Sequence, residues 1–498
     1  MGLRSAGYLC LLLASGVAAP SANATITLIA DGTLTSSSAG SLADLSGLTG
    51  TLENGLPANL LGGVGSGIAY VGGETFLAVP DRGPNATPYN SAVDDTVSYI
   101  SRFQTLTMNL TPSGAGASLP FTLTPTLTAT TLLSSPTALV YGSGAGLGLG
   151  SGAPAQNTDG KFYFAGRSDN FDPNKNSGNP NNARFDPESI RVSNDGKSVF
   201  VSDEYGPYVY QFDRTTGQRI KSFELPANLY VSKLSPQGNV EIDHANNPSG
   251  RVANKGMEGL AITPDGKTLI GIMQAELEQD PKNSLRIVTI DIATGTTHEY
   301  GYLLTTGSGV SDIVAINDHQ FLVDERDGKG LGDGSTAAVK QLFEIDLTGA
   351  TDITNLTGAA ATSAAVGKSL VLDLVKAFND NGIISTQIPA KIEGLAFGQD
   401  VLLNGVLEHT LFVANDNDFV TNVAGPNRFF VFAFTDNDVP GFVQQQLVPE
   451  PSSLTVLGTG LPLGFGLLHR PRSAGCAVWR SVRTRSRTRA ASAQCRAG

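Results

Sequence analysis

The chain has 498 residues and a net charge of −12, with 45 acids against 33 Lys and Arg. An acidic body disfavours nucleic acid as a partner and favours cations or cation-bridged ligands. Only 16% of the chain is charged, and its 58 Gly and 26 Pro beside many Thr, Val and Ser indicate an all-β, turn-rich protein. The three Cys (Cys10, Cys476, Cys495) lie outside the body, which excludes a disulfide framework or thiolate metal site there. The five His form no HExxH pair, which argues against zinc hydrolase chemistry.

Residues 1–24 read as a signal peptide: Arg4, an apolar run over 8–19, then Ala22-Asn23-Ala24 as a small-x-small cleavage site. The body, 25–447, repeats one pattern, an apolar strand, a turn and a second apolar strand flanked by acids. Copies are SGIAYVGGETFLAVPDRGP at 66–84, ESIRVSNDGKSVFVSDE at 188–204, EGLAITPDGKTLIGIMQ at 258–274 and DIVAINDHQFLVDERD at 312–327. A fifth starts at Glu393 and ends, after a longer connection, in LFVANDND at 411–418. Units that cannot bury both faces alone stack on their neighbours, so the array predicts a β-propeller. The gap of 122 residues between the first two copies has room for another unit around KFYFA at 161–165, so six blades are favoured, with five or seven the alternatives. One helix is expected over 359–379, from its Ala content and the stripe Leu370, Leu372, Val375 and Phe378.

From Val448 the character changes. Val448-Pro449-Glu450-Pro451 is followed by an apolar run over 454–468 and then His469-Arg470-Pro471-Arg472. The order resembles the PEP-CTERM sorting signal of exported bacterial proteins, which implies transient membrane anchoring over 448–472 and a sorting machinery as partner. Residues 473–498 form a basic tail; with 470 and 472 the end of the chain holds eight Arg and no acid, and is expected to be disordered.

A hairpin returns to the end it left, so acids before its first strand and after its second share a rim. The pre-strand position holds Ser66, Glu188, Glu258, Asp312 and Glu393; the post-strand pairs are Asp81-Arg82, Asp203-Glu204, Met273-Gln274, Asp324-Glu325 and Asn415-Asp416. Such acids also cap turns and blades. Gathered at one mouth of a central channel, they make the oxygen-rich ring that Ca²⁺ prefers. The expected metal ligands are Asp81, Glu188, Asp203, Glu258, Asp312, Asp324, Glu325, Glu393 and Asp416. Arg251, Lys255 and His244 are candidates for substrate binding. No G-x-S-x-G serine, P-loop or Arg-His-Gly motif is present.

The runs DPESIRVSNDGKSVFVSDEYGPYVYQFD and NKGMEGLAITPDGKTLIGIMQAELEQD, with DRGPN at 81–85 and IEGLAF at 392–397, resemble the "esterase-like activity of phytase" family. The resemblance covers most of 50–435 and implies a phytase-type propeller that hydrolyses ester or phosphate-ester bonds with Ca²⁺. Carried over by position, it picks out Asp81, Arg82, Glu188, Asp203, Glu204, Glu258, Asp324, Glu325 and Glu393. Glu188, Asp203 and Glu204 are then expected as ligands or base, with Arg82 or Arg326 stabilising developing charge. The expectation is an exported monomer of the periplasm, outer envelope or extracellular matrix, acting on a small-molecule ester or phosphate ester. The alternative is a non-catalytic propeller that binds a glycan or protein around structural Ca²⁺.

Overall fold

The computed structural model describes residues 26–448, apart from 35, 38–39, 143–145, 207–208 and 242–244. The expected signal peptide, the sorting segment beyond Val448, the basic tail and His244 therefore lie outside the described residues. No helix among the described residues is long and apolar enough to cross a membrane.

All five repeated stretches fold as antiparallel hairpins. They are Gly67–Gly72 with Thr75–Val79, Pro187–Val192 with Ser198–Asp203, and Met257–Ile262 with Thr268–Met273. Gly309–Ala315 with Gln320–Arg326 and Lys391–Phe397 with Val406–Asp416 complete the set. Their strands read as continuous apolar runs because both faces are covered by neighbouring blades. The turns repeat as well. In the second hairpin Ser193 Oγ donates to Asp195 Oδ1 at 2.6 Å and Gly196 takes φ 69°. In the third, Thr263 Oγ1 donates to Asp265 Oδ1 at 2.7 Å and Gly266 takes φ 73°. Both turns need a left-handed residue that only glycine adopts cheaply.

Two further strands extend each hairpin into a blade. Blade 1 adds Arg102–Pro112 and Phe121–Leu132; blade 2 adds Val209–Asp213 and Arg219–Phe223; blade 3 adds Ser284–Asp291 and Thr297–Leu303. Blade 4 adds Lys340–Asp346 and Lys368–Asp373. Blade 5 adds Asn427–Phe434, and its outermost strand comes from the start of the chain, Thr27–Leu34. The first strand of every blade contacts the first strands of the blades on either side, and the last contacts the first. The result is a closed ring of five blades.

Five is thus the lower of the alternatives to the favoured six. The long interval between the first two copies is filled by the 11- and 12-residue outer strands of blade 1 and by loop. Phe162–Tyr163 is a two-residue strand that pairs with Ser134–Ser135 rather than founding a blade. The helix expected over 359–379 is also corrected. Helices Gly358–Ser363 and Leu374–Asp380 bracket the edge strand of blade 4, whose ladder to Lys340–Asp346 takes the middle of the stretch. Tertiary pairing overrides the Ala-rich propensity, and Phe378 packs on Phe430 with ring centroids 4.5 Å apart.

Five apolar clusters lie at the five blade interfaces. Phe76 of blade 1 meets Phe412 of blade 5 at 4.4 Å between ring centroids, so the closing interface is packed like the others. Each fully buried Phe, Leu, Ile or Val contributes roughly 1.5–3 kcal/mol. At the end of the axis opposite the acidic rim, residues 443–448 run across the hairpin turns. Val443 N donates to Ile316 O at 2.8 Å, Gln445 Nε2 to Val192 O at 2.8 Å, and Val448 N to Asn194 O at 2.8 Å.

Candidate functional site

The rim is built from two positions of each hairpin. The residue at or just beyond the end of each second strand is Asp81, Glu204, Gln274, Arg326 and Asp416 in blades 1 to 5, and all five line one bowl of about 230 Å³. The second position lies near the start of each first strand, and there blades 2, 3 and 5 place Glu188, Glu258 and Glu393 in the bowl. Each of these acids falls in a register shift of its hairpin: between Pro187 and Ile190, Met257 and Gly259, and Ile392 and Gly394. A bulge re-aims a side chain that a regular ladder would point into the sheet face.

Most of these carboxylates are already engaged. Arg82 Nε lies 3.0 Å from Asp186 Oδ2, and its Nη2 donates to Glu204 Oε2 at 3.2 Å and to Asn254 Oδ1. Arg326 Nη2 pairs with Glu393, and its Nε donates to Ser311 Oγ at 3.1 Å. Lys391 Nζ donates to Asp416 Oδ2 at 2.9 Å and to Asp418 Oδ1 at 2.6 Å. Glu258 Oε1 accepts from Gln274 Nε2 at 2.7 Å, while its Oε2 is buried with no hydrogen-bond partner. Glu188 is the exception. It is 6% exposed, lines the bowl, and has no hydrogen-bond partner among the described residues.

Burial dominates the ionisation of the bowl. It pushes Glu188 well above the usual carboxylate range, aided by Asp186, Glu258, Glu204 and Glu393. Burial also raises Glu258, with Glu204 and Glu393 adding to it. It pushes Asp186 up to about 7 against the pull of Arg82, and Glu393 up to about 7 against Lys391 and Arg326. Crowded carboxylates of this kind hold protons at neutral pH unless a cation arrives. The ligand atoms of Asp186, Glu188 and Glu204 lie within 4.8 Å of one another, as do those of Asp81, Asp416 and Asp418. The donors are all oxygen, which selects a hard cation such as Ca²⁺ or Mg²⁺ over Zn²⁺.

A family model described as "Phytase-like: Esterase-like activity of phytase" matches residues 59–419, which hold both positions of the rim in every blade. The chain belongs to this family. A relative named "Uncharacterized secreted protein", from Arthroderma benhamiae, is 29% identical to this phytase-like protein over 300 residues. That match covers 51% of the chain and 58% of the relative, so the chain spans under two thirds of the relative's length. Hydrazine synthase from Kuenenia stuttgartiensis matches with a TM-score of 0.28 at 13% identity, covering 73% of this chain and 79% of that one. The β-propeller domain of Cps50 (Swd1) from Myceliophteria thermophila matches with a TM-score of 0.20 at 11% identity, covering 45% and 51%.

Of the residues expected in its site, the phytase-like domain gathers Asp81, Arg82, Glu188, Glu204, Lys255, Glu258, Arg326, Glu393 and Asp416 around the bowl. Others stand elsewhere. Asp203 is fully buried behind the rim, where its Oδ1 accepts from Asp186 N and Tyr205 N at 3.1 Å each. Asp324 is buried beneath it, accepting from Ser311 Oγ at 3.3 Å, with burial pushing it up to about 7. Glu325 points away from the bowl to Tyr302, Thr306 and Lys368. Arg251 is committed to Glu241 at 2.7 Å and to Tyr205 O.

Asp312 differs most. Ser311, not Asp312, occupies the register of Glu188, and Asp312 turns into the axis. There its Oδ2 accepts from Arg191 Nη2 and from Leu395 N at 2.9 Å each, and its Oδ1 from Ser189 Oγ at 3.1 Å. Arg191 also reaches Ile68 O at 2.6 Å, so the pair ties blades 1, 2, 4 and 5 together below the bowl. Asp186, Lys391 and Asp418 belong to the site but escape a reading by repeat position. Each lies two residues from a rim acid in sequence, Asp186 before Glu188, Lys391 before Glu393 and Asp418 after Asp416.

Proposed function

We propose that the bowl binds a divalent cation, Ca²⁺ by its donor set, and hydrolyses a carboxylic or phosphate ester of a small molecule. The observation that carries this is Glu188: a carboxylate 6% exposed, without a side-chain hydrogen-bond partner among the described residues, beside other acids that line the bowl. Asp186, Glu258, Glu204 and Glu393 crowd the charge of Glu188, and a bound cation offsets that repulsion. Glu188, Glu204 and Asp186 would hold the metal. When bound, the cation supplies polarisation of the scissile group and a more acidic water. Glu393, with its pKa pushed up to about 7, can take and return a proton near neutral pH. Arg82 and Arg326, held in place by their acid partners, flank the position where negative charge develops.

The cations of the bowl favour a substrate of low charge. Arg82, Arg326 and Lys391 are each paired to carboxylates, and only Lys255 is without a side-chain partner among the described residues. A polyphosphorylated substrate would need a denser set of free donors. The signal-peptide pattern of residues 1–24 and a relative named as secreted support export. The Pro-Glu-Pro segment and apolar run beyond Val448 would anchor the protein transiently before sorting.

The test is a substrate panel of aryl carboxylic esters, lactones, aryl phosphates and inositol hexakisphosphate, each with Ca²⁺ and with chelator. Turnover of an uncharged or singly phosphorylated member that chelator abolishes is the expected result. No turnover on any member, with Ca²⁺ still raising the unfolding temperature, would instead support a binding module with structural calcium.

A further inference from the structure

The two carboxylate triads at the mouth differ in one respect. In Asp81–Asp416–Asp418 every carboxylate has a donor. Asp81 Oδ1 accepts from Gly83 N at 2.9 Å, and Asp416 Oδ1 from Asp418 N at 2.8 Å. The remaining charge is met by Lys391, whose Nζ lies 2.9 Å from Asp416 Oδ2 and 2.6 Å from Asp418 Oδ1. The lysine is held there by the sheet itself, because Lys391 and Asp416 are direct partners across the innermost ladder of blade 5. In Asp186–Glu188–Glu204, by contrast, Arg82 engages Asp186 and Glu204 and leaves Glu188 unpartnered.

An ammonium is a compact point charge and competes with a metal ion for the same oxygens. We propose that Lys391 is a resident cation that occupies the Asp81–Asp416–Asp418 triad. The mouth then admits one divalent cation, at Asp186–Glu188–Glu204, and removing the ammonium opens a second metal site. This rests on the metal reading given above and deepens it, because it fixes how many metal charges face the substrate.

Calorimetric titration of the purified protein with Ca²⁺ counts the sites. The expected stoichiometry is one for the wild type, two for Lys391→Met, and one again for Lys391→Met with Asp418→Asn. Glu188→Gln in the Lys391→Met background should leave one. A folded Lys391→Met protein that still binds one ion overturns the proposal. If that variant does not fold, Asp418→Asn alone decides. An unchanged stoichiometry of one supports the resident cation, and a drop from two in the wild type to one overturns it. Failure of the underlying metal reading looks different: the wild type binds no Ca²⁺ at all, while a site gained in Lys391→Met would still support the role of the lysine.

Discussion

Glu188 concentrates the chemistry of the rim. Burial keeps it and Glu258 above the ordinary carboxylate range, and pushes Asp186 and Glu393 up to about 7. In the unfolded chain such groups titrate near ~4. Because the folded values are higher, the folded state binds more protons between the two, and the contribution of these groups to stability falls as pH rises through that window. The metal-free protein should therefore unfold at a lower temperature at pH 8 than at pH 5, and saturating Ca²⁺ should remove most of the difference. Thermal unfolding in chelator and in Ca²⁺ across this range checks it. The identities of Glu188, Glu204, Glu258 and Glu393 were legible because they recur beside apolar strands. Lys391 and Asp186 were not, since a partner two residues away from a repeated position carries no mark of its own.

The bulged hairpin is the element that makes the site. It turns Glu188, Glu258 and Glu393 into the bowl, and the next residue must then be small where the first strands converge. A Cβ on Gly259 would stand 2.9 Å from Asp312 Cα, and one on Gly67 would stand 2.6 Å from Ser189 Cα. Gly259→Val should thus destabilise the ring and lower the unfolding temperature, whereas Gly295→Val, at an outer turn with open space around it, tests only the φ 77° strain. Asp312 shows why register could not be read from residue type. Its acid was matched to Glu188, but the ladder puts Ser311 there and sends Asp312 to Arg191. Breaking one side of a buried pair leaves an uncompensated charge, so Arg191→Met should cost about 3–5 kcal/mol in denaturant unfolding. Pairing it with Asp312→Leu should recover part of that loss.

At the scale of the whole molecule, the ring is closed by the strand Thr27–Leu34, which pairs with Asn427–Phe434 at the far end of the sequence. The N-terminal strand covers the outer edge of Asn427–Phe434, and a propeller opened there would leave that strand unpaired beside its buried Phe430, Phe432 and Phe434 face. Deleting residues 26–34 should therefore yield aggregation on size-exclusion chromatography instead of a folded ring whose fifth blade lacks its outermost strand. The propeller itself was legible from the repeated hairpins. The number of blades was not, because spacing cannot distinguish an extra unit from two long outer strands and a loop.

The central claim is that one buried carboxylate site binds the cation that drives ester hydrolysis. It is tested most directly by titrating chelator-stripped protein with Ca²⁺ while following hydrolysis of an aryl ester or aryl phosphate and the unfolding temperature together, with Glu188→Gln alongside. Both signals should rise with a single dissociation constant in the wild type, and neither should rise in Glu188→Gln. Turnover that survives chelation, or Ca²⁺ stabilisation that persists in folded Glu188→Gln, would contradict it.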